Sequence, residues 1–156
     1  MTPFLYLRTV TVFPHLLRDV EAQAERRGGA ALQPPCAEQA VRALRLRVRD
    51  ELGLPLPVEF EGFLRIADGL NWNGLYLYPS ATASLAGRRD VVLAGLVESN
   101  LNHWDVGGFQ DVLVFGHYSL DLFAWRSSTG EFQVLDPVPR DVMDTLPSFD
   151  ALMGVA

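Results

Sequence analysis

Apolar residues recur at helical spacing over residues 37–52, the most regular hydrophobic pattern in the chain. Val41, Leu44, Val48 and Leu52 step by three, four and four positions, so they line one face of an α-helix. The Gly-Leu-Pro-Leu-Pro run that follows cannot continue a helix, and it predicts where this helix ends.

A second apolar stripe predicts a shorter helix that begins at Pro57 and ends at Asp68-Gly69. Gly62 has no side chain, so we expect it to permit the close approach of a neighbouring element. An earlier helix is predicted to begin near Pro14. The stripe of the Pro57 helix comprises Phe60, Phe63, Leu64 and Ala67, and that of the earlier helix Leu16, Leu17, Val20 and Ala24.

The middle of the chain is less regular. The aromatic and aliphatic run Leu75 to Tyr78 predicts a short strand, and the small residues from Pro79 to Gly87 predict a loop. Arg88 to Asn102 has Val92, Leu96 and Leu101 roughly in helical step, which predicts a helix that Gly95 weakens.

The last third of the chain is rich in predicted strands. One strand covers Val112 to Phe115 and ends at Gly116. Leu120 to Trp125 and Glu131 to Leu135 flank a short polar turn with a glycine, the pattern of a β-hairpin. Asp136 to Pro139 leaves the sheet. Ser148 is a favourable N-cap for a final helix, whose apolar positions are Phe149, Leu152 and Met153.

These elements predict one domain of the α+β class over residues 1–156, with helices packed on a mainly antiparallel sheet. Strands that follow one another as hairpins argue against a doubly wound parallel sheet, which needs crossover helices. At 156 residues with 49% hydrophobic positions, the chain is long enough to bury a sizeable core.

Composition narrows the setting of the protein. No apolar run approaches the roughly 20 residues of a membrane span, and the N-terminus lacks the basic region of a signal peptide. Cys36 is the single cysteine, so no internal disulfide is possible. We therefore expect a cytoplasmic protein without membrane contact.

Charge is distributed unevenly along the chain, in which every basic residue is arginine. Residues 1–89 hold 11 arginines and 9 carboxylates, a net +2, whereas residues 90–156 hold 2 arginines and 10 carboxylates, a net −8. The second half would repel nucleic acid and attract a basic partner. The alternative is that acidic surfaces simply keep the protein soluble.

The order of these elements resembles the SUKH superfamily, in particular its YrhA-like branch, from about residue 37 to the end. No single piece is specific, and the succession of pieces carries the resemblance. The pieces are Glu51-Leu52-Gly53, Leu56-Pro57, Phe63-Leu64, Asp68-Gly69-Leu70, Asn73-Gly74-Leu75, Tyr78, Leu96 to Leu101, Val114-Phe115-Gly116, Leu120-Asp121-Leu122, Gly130 to Asp136 and Ser148 to Met153.

The resemblance implies a SUKH-like fold and a protein that is not an enzyme. Bacterial members are mostly viewed as immunity proteins of polymorphic toxin systems in interbacterial competition, where they bind a cognate toxin domain, often a nuclease, and block it. The family also includes a fungal cell-wall synthesis regulator. A general protein-interaction or scaffold module without a toxin partner is therefore the alternative, because fold does not fix function.

Reactive side chains give weak signals. Cys36 lacks any catalytic signature and is expected to be a packing residue. His103, Asp105, His117 and Asp121 could supply metal ligands from two loops, but they lack the spacing of a known metal motif. We expect no catalytic residues, no metal and no cofactor, and a small hydrolase or metal enzyme remains only as a third possibility.

Other conspicuous residues are mostly expected to have structural roles. Arg42, Arg45 and Arg49 form a row that could hold phosphate, although a solvated helix face is favoured. Trp72 and Trp125 are expected in or against the core, with Trp125 beside Phe132, whereas Trp104 could serve either role.

Contacts with a basic toxin surface are expected from the acidic second half, where carboxylates can pair with Lys or Arg across an interface. Neither the toxin nor the oligomeric state follows from the pattern. The predicted contacts are Glu98, Asn102, Trp104, Asp105, Asp111 and Asp121.

Overall fold

The helices and strands are taken from a computed structural model, which describes residues 17–23, 25–26, 33–72, 74–85, 88–105, 111–138 and 141–154. Residues 17–23 and 25–26 are helical and are labelled α1. The other helices are α2 (Glu38–Arg47), which continues as a π-helical turn (Val48–Leu52), α3 (Val58–Ile66), α4 (Leu96–Asp105) and α5 (Phe149–Met153).

The strands are β1 (Leu70–Trp72), β2 (Leu75–Leu77), β3 (Ala83–Leu85), β4 (Arg88–Leu93), β5 (Val112–Tyr118), β6 (Asp121–Arg126), β7 (Glu131–Leu135) and β8 (Val142–Leu146). Six of them form one sheet in the order β1-β2-β5-β6-β7-β8, and every neighbouring pair is antiparallel. β3 and β4 form a separate antiparallel hairpin. The predicted α+β class with a mainly antiparallel sheet is confirmed.

The two predicted central helices form where the apolar stripes placed them. Val41, Leu44, Val48 and Leu52 are all buried, and the chain leaves the π-helical turn through Gly53 at a φ of 69°, which favours glycine. The stripe of α3 is buried as well. The prediction that Gly62 permits a close approach is wrong, because a Cβ placed there would meet no atom within 4 Å.

Five phenylalanines from three parts of the chain form the centre of the core. Phe60 and Phe63 come from α3, Phe115 and Phe132 from the sheet, and Phe149 from α5. The ring centroids of the contacting pairs lie 5.3–6.2 Å apart. The core therefore joins helices and sheet into one packed unit.

The predicted helix from Arg88 to Asn102 is wrong in its first part, where the chain forms strand β4 instead. Val91 and Val92 favour extended backbone, and β4 pairs with β3 inside the predicted loop of residues 79–87. Only the second part is helical. Gly95 separates the two parts, and a Cβ there would lie 2.7 Å from the backbone nitrogen of Thr82.

Two edge strands were not predicted. Leu70–Trp72 forms β1, which turns through Gly74 at a φ of 87° into β2. Residues 142–145 of β8 are exposed on both faces, so they lack the alternation that marks a half-buried strand. The predicted hairpin of β6 and β7 is confirmed, and so is the N-cap, since Ser148 Oγ accepts from Ala151 N–H at 3.0 Å.

Candidate functional site

Helix α4 carries four of the six predicted contacts, and a buried asparagine fixes it to the sheet. Asn100 is fully buried, and its Nδ2 donates to the carbonyls of Leu96 at 2.8 Å and Val114 at 2.6 Å. Its Oδ1 accepts from Val114 N–H at 2.8 Å. The amide thus pairs with both backbone groups of one residue in β5, as a neighbouring strand would.

Glu98 lies on the same helix but is already paired within the molecule. Its Oε1 accepts from Arg47 Nη1 at 3.1 Å, and Arg47 also pairs with Glu51 at 2.7 Å. The two side chains of the Glu98–Arg47 pair are each 38% exposed. A partner that used Glu98 would have to compete with Arg47.

The other predicted contacts on α4 differ in what the structure describes. Asn102 is exposed near the C-terminal end of the helix. Trp104 and Asp105 are helical in backbone, and their side chains lie outside what is described.

Asp111 lies just before β5 and bonds to residues at the end of β6 and directly after it. Its carboxylate accepts from Arg126 Nη1 and Ser128 Oγ, both at 2.7 Å, and its carbonyl accepts from Ser127 Oγ at 3.0 Å. The hydrogen bond from Ser128 and the nearby guanidinium of Arg126 lower the pKa of Asp111. This carboxylate is therefore already engaged by hydrogen bonds within the protein.

Asp121 lies at the other end of the same hairpin, opposite Tyr118. It is half-buried at the start of β6. With about 3.3 Å per residue, the length of β5 separates Asp111 from Asp121 by roughly 20 Å. The six predicted contacts therefore do not form one tight cluster.

The two candidate histidine ligands each contact a tyrosine. His103 Nε2 lies 3.2 Å from Tyr78 Oη, and the His117 ring stacks on Tyr76 with centroids 5.0 Å apart. Burial raises the pKa of Tyr78 and lowers that of His117. Within the described residues, no three potential ligands come together as a metal site would require.

Cys36 is buried beside Asp68 and Ser80. Ser80 donates to the Asp68 carboxylate through its N–H at 2.6 Å and its Oγ at 2.9 Å. Burial, together with the negative charge of Asp68, raises the pKa of Cys36. The thiolate is therefore disfavoured, which agrees with a packing role.

Two of the three tryptophans have described side chains, and both contact the core. Trp72 and Trp125 are half-buried and pack against the core, and Trp125 lies opposite Phe132 in the β6–β7 ladder. The prediction of a core role for both is confirmed.

An acidic and apolar surface at the sheet edge was missed by the sequence reasoning. We name it the β8 patch and define it as Val138, Asp141, Val142, Met143 and Asp144. The apolar members are 87%, 46% and 54% exposed for Val138, Val142 and Met143, and both carboxylates are exposed. The signal in the sequence was the short run Asp141-Val142-Met143-Asp144, in which two apolar residues lie between two carboxylates.

A groove lined by apolar residues and by two ion-paired arginines lies at the end of α2. It has a volume of about 470 Å³ and an apolar floor, and two guanidinium groups from the predicted arginine row lie along it. Arg45 is held by Glu61 through bonds of 2.7 and 3.0 Å. The lining residues are Arg45, Leu46, Arg49, Gly53, Leu54, Pro55 and Leu56.

No protein-family model matches the chain, and no curated protein matches it significantly. Among the described helices, none combines the length and the apolar character that crossing a bilayer would require.

Proposed function

We propose that this protein is a cytoplasmic immunity protein of the SUKH type, which binds a cognate bacterial toxin domain and neutralises it by occlusion. The toxin domain, for example a nuclease, presents a basic contact surface. The proposal rests on the succession of SUKH-like sequence pieces and on the charge of the second half of the chain. No catalytic chemistry is assigned to the protein.

The structural observation that supports the proposal is the β8 patch. Exposed Val142 and Met143 supply apolar area that a partner can desolvate, and Met adapts its shape to an uneven surface. Asp141 and Asp144 flank them and attract a basic surface over long range. Exposed apolar side chains next to exposed carboxylates give both faces of this edge strand a composition suited to a protein interface.

The contacts predicted on α4 and at the ends of the β5–β6 hairpin keep a secondary place in this proposal. Glu98 and Asp111 already have arginine partners, so pairing with a toxin would exchange one ion pair for another. No ion pair within the described part of the chain engages Asp121, and Asn102 carries no charge to exchange. The centre of the interface is therefore assigned to the β8 patch.

Calorimetry with the toxin domain encoded beside this gene tests the proposal. We expect binding, and we expect Asp144→Lys to weaken it by about tenfold or more, since an attractive charge becomes repulsive. Glu59→Lys is the matched control, because it makes the same charge change at an exposed position on α3. Absence of binding by the wild-type protein would refute an immunity role.

A scaffold module without a toxin partner is the second candidate, and the groove at Arg45 and Arg49 favours it. A second surface on the same chain, with an apolar floor, would let it bridge two proteins. Gene neighbourhood separates the candidates: a secreted toxin gene upstream supports immunity, and a biosynthetic or cell-wall operon supports the scaffold.

A further inference from the structure

Strand β8 is the last strand of the sheet, and its outward backbone groups can be identified. Asp136 N–H donates to the carbonyl of Asp141 at 3.0 Å, so this carbonyl points towards the end of β7, and Val142 follows it opposite Leu135. In an antiparallel ladder, successive residues point in opposite directions. The N–H and C=O of Val142 therefore point away from the sheet.

A carboxylate covers a second backbone group along this edge. Thr145 N–H donates to Asp144 Oδ1 at 2.9 Å, which places this amide outside the β7–β8 ladder. The register shifts between Val134 and Leu135, opposite β8, so the edge is bulged. Charges and bulges on an edge strand are the means by which proteins prevent unwanted pairing with another chain.

We propose that β8 is a strand-addition site for an extended, basic segment of the protein partner, and that Asp141 and Asp144 prevent a second copy of the chain from occupying it. This inference rests on the proposed function, since the partner is the basic protein inferred above. The incoming strand would bond the outward groups of Val142 through its backbone.

Charge decides between the two possible occupants. In a full-length antiparallel pairing of two β8 strands, the two Asp144 carboxylates would lie opposite each other, and like charges in that position are destabilising. A strand with Lys or Arg at those positions meets opposite charges instead. Val142 and Met143 remain available to the alternate side chains of the incoming strand.

Arg140 is the single basic residue close to these carboxylates in the sequence. Residues 136–144 include Asp136, Asp141 and Asp144, so the segment is net −2 and attracts a cationic strand. This attraction weakens as salt is added, which makes salt dependence a signature of the proposed contact.

The test uses the isotopically labelled full chain and two synthetic peptides, one alternating valine with lysine and the other alternating valine with glutamate. We expect the lysine peptide to give saturable, salt-sensitive shifts of the Val142–Leu146 amide signals, and the glutamate peptide to give none. Equal responses to both peptides, or shifts confined to other elements, would overturn the proposal.

Two variants separate strand addition from simple charge attraction. Val142→Pro removes an outward N–H that β7 does not use, so we expect it to weaken lysine-peptide binding about tenfold or more while the protein stays folded by circular dichroism. Asp144→Lys should transfer the preference to the glutamate peptide, and it tests the same edge if the proline variant does not fold. An unchanged preference would contradict the assigned role of Asp144.

Neutralising Asp141 and Asp144 tests their proposed role against self-association without a partner. Asp141→Asn combined with Asp144→Asn should self-associate more than the wild type in sedimentation velocity, with an average mass that rises with concentration. An average mass that stays equal to that of the wild type over the same concentrations would refute the proposal that these carboxylates prevent self-association.

Failure of this inference can be told from failure of the proposed function. If the adjacent toxin domain binds Val142→Pro as tightly as the wild type, the function stands and strand addition is wrong. If the lysine peptide binds β8 and the toxin domain does not bind the protein, the edge assignment stands and the immunity role is wrong.

Discussion

Replacing Asn100 with alanine should destabilise the protein strongly, because its amide satisfies two buried backbone groups of β5. Asn100→Ala leaves the N–H and the C=O of Val114 without the bonds of 2.8 and 2.6 Å that they make to the side chain. Each unsatisfied buried group costs about 1–3 kcal/mol, so we expect a loss of about 2–6 kcal/mol in the free energy of unfolding. That is a large part of the roughly 5–15 kcal/mol that holds a typical domain folded.

Urea unfolding followed by tryptophan fluorescence measures this loss. With a slope of about 2 kcal/mol per molar urea, the midpoint should fall by about 1–3 M. Asn102→Ala is the control, since Asn102 is exposed on the same helix and its replacement should change stability by less than about 0.5 kcal/mol. If the two variants unfold at the same urea concentration, the strand-like role of Asn100 is refuted.

Asn100→Asp separates the donor from the acceptor of the same side chain. The introduced carboxyl keeps an acceptor for Val114 N–H, but at neutral pH it places negative charge against the Val114 carbonyl. Its protonated form can donate to that carbonyl, so folding raises its pKa. A group whose pKa is raised by folding stabilises the folded state at low pH, and this stabilisation is lost as pH rises. The deficit in unfolding free energy of this variant relative to the wild type should therefore shrink on acidification.

Three further predictions test other parts of the structure. Gly116→Ala should lower the free energy of unfolding, measured in urea, by about 1–3 kcal/mol, because a Cβ would overlap the Tyr76 carbonyl. Gly62→Ala is the control on α3, where a Cβ meets open space, and it should raise the free energy of unfolding by about 0.5–1 kcal/mol. Equal effects of the two substitutions would contradict this packing. Asp111→Asn should lower stability by up to about 1 kcal/mol at neutral pH. Because the folded-state pKa of Asp111 is lowered below 3.8, that difference should disappear as pH falls through it, and a difference that persists in acid would refute the Arg126 and Ser128 pairing. Cys36 should react with a thiol reagent only as fast as the protein unfolds, and rapid labelling of the folded protein would contradict its burial.

Sequence pattern predicted best where local preference and tertiary packing agree. The stripes of α2 and α3 are buried as their spacing indicated, and β7 has the predicted bounds from Glu131 to Leu135. These segments carry a clear period of 3.6 or 2 and end at turn residues.

Pattern failed where pairing with another strand decides the backbone. β4 contains Val91 and Val92 in a segment whose apolar spacing also fits a helix, and pairing with β3 selects the extended form. β8 shows no buried alternation, because at the edge of the sheet both of its faces meet solvent.

The candidate site divides in the same way. The sequence by itself determined the sign of the charge in the second half and the absence of a recognised catalytic motif, since both follow from residue types and their order. Only the tertiary structure decided which carboxylates remain available. Glu98 meets Arg47 from 51 positions away and Asp111 meets Arg126 from 15, whereas Asp141 and Asp144 stay exposed. Charge belongs to the residues, but pairing depends on distances between atoms, and the folded chain alone sets those distances.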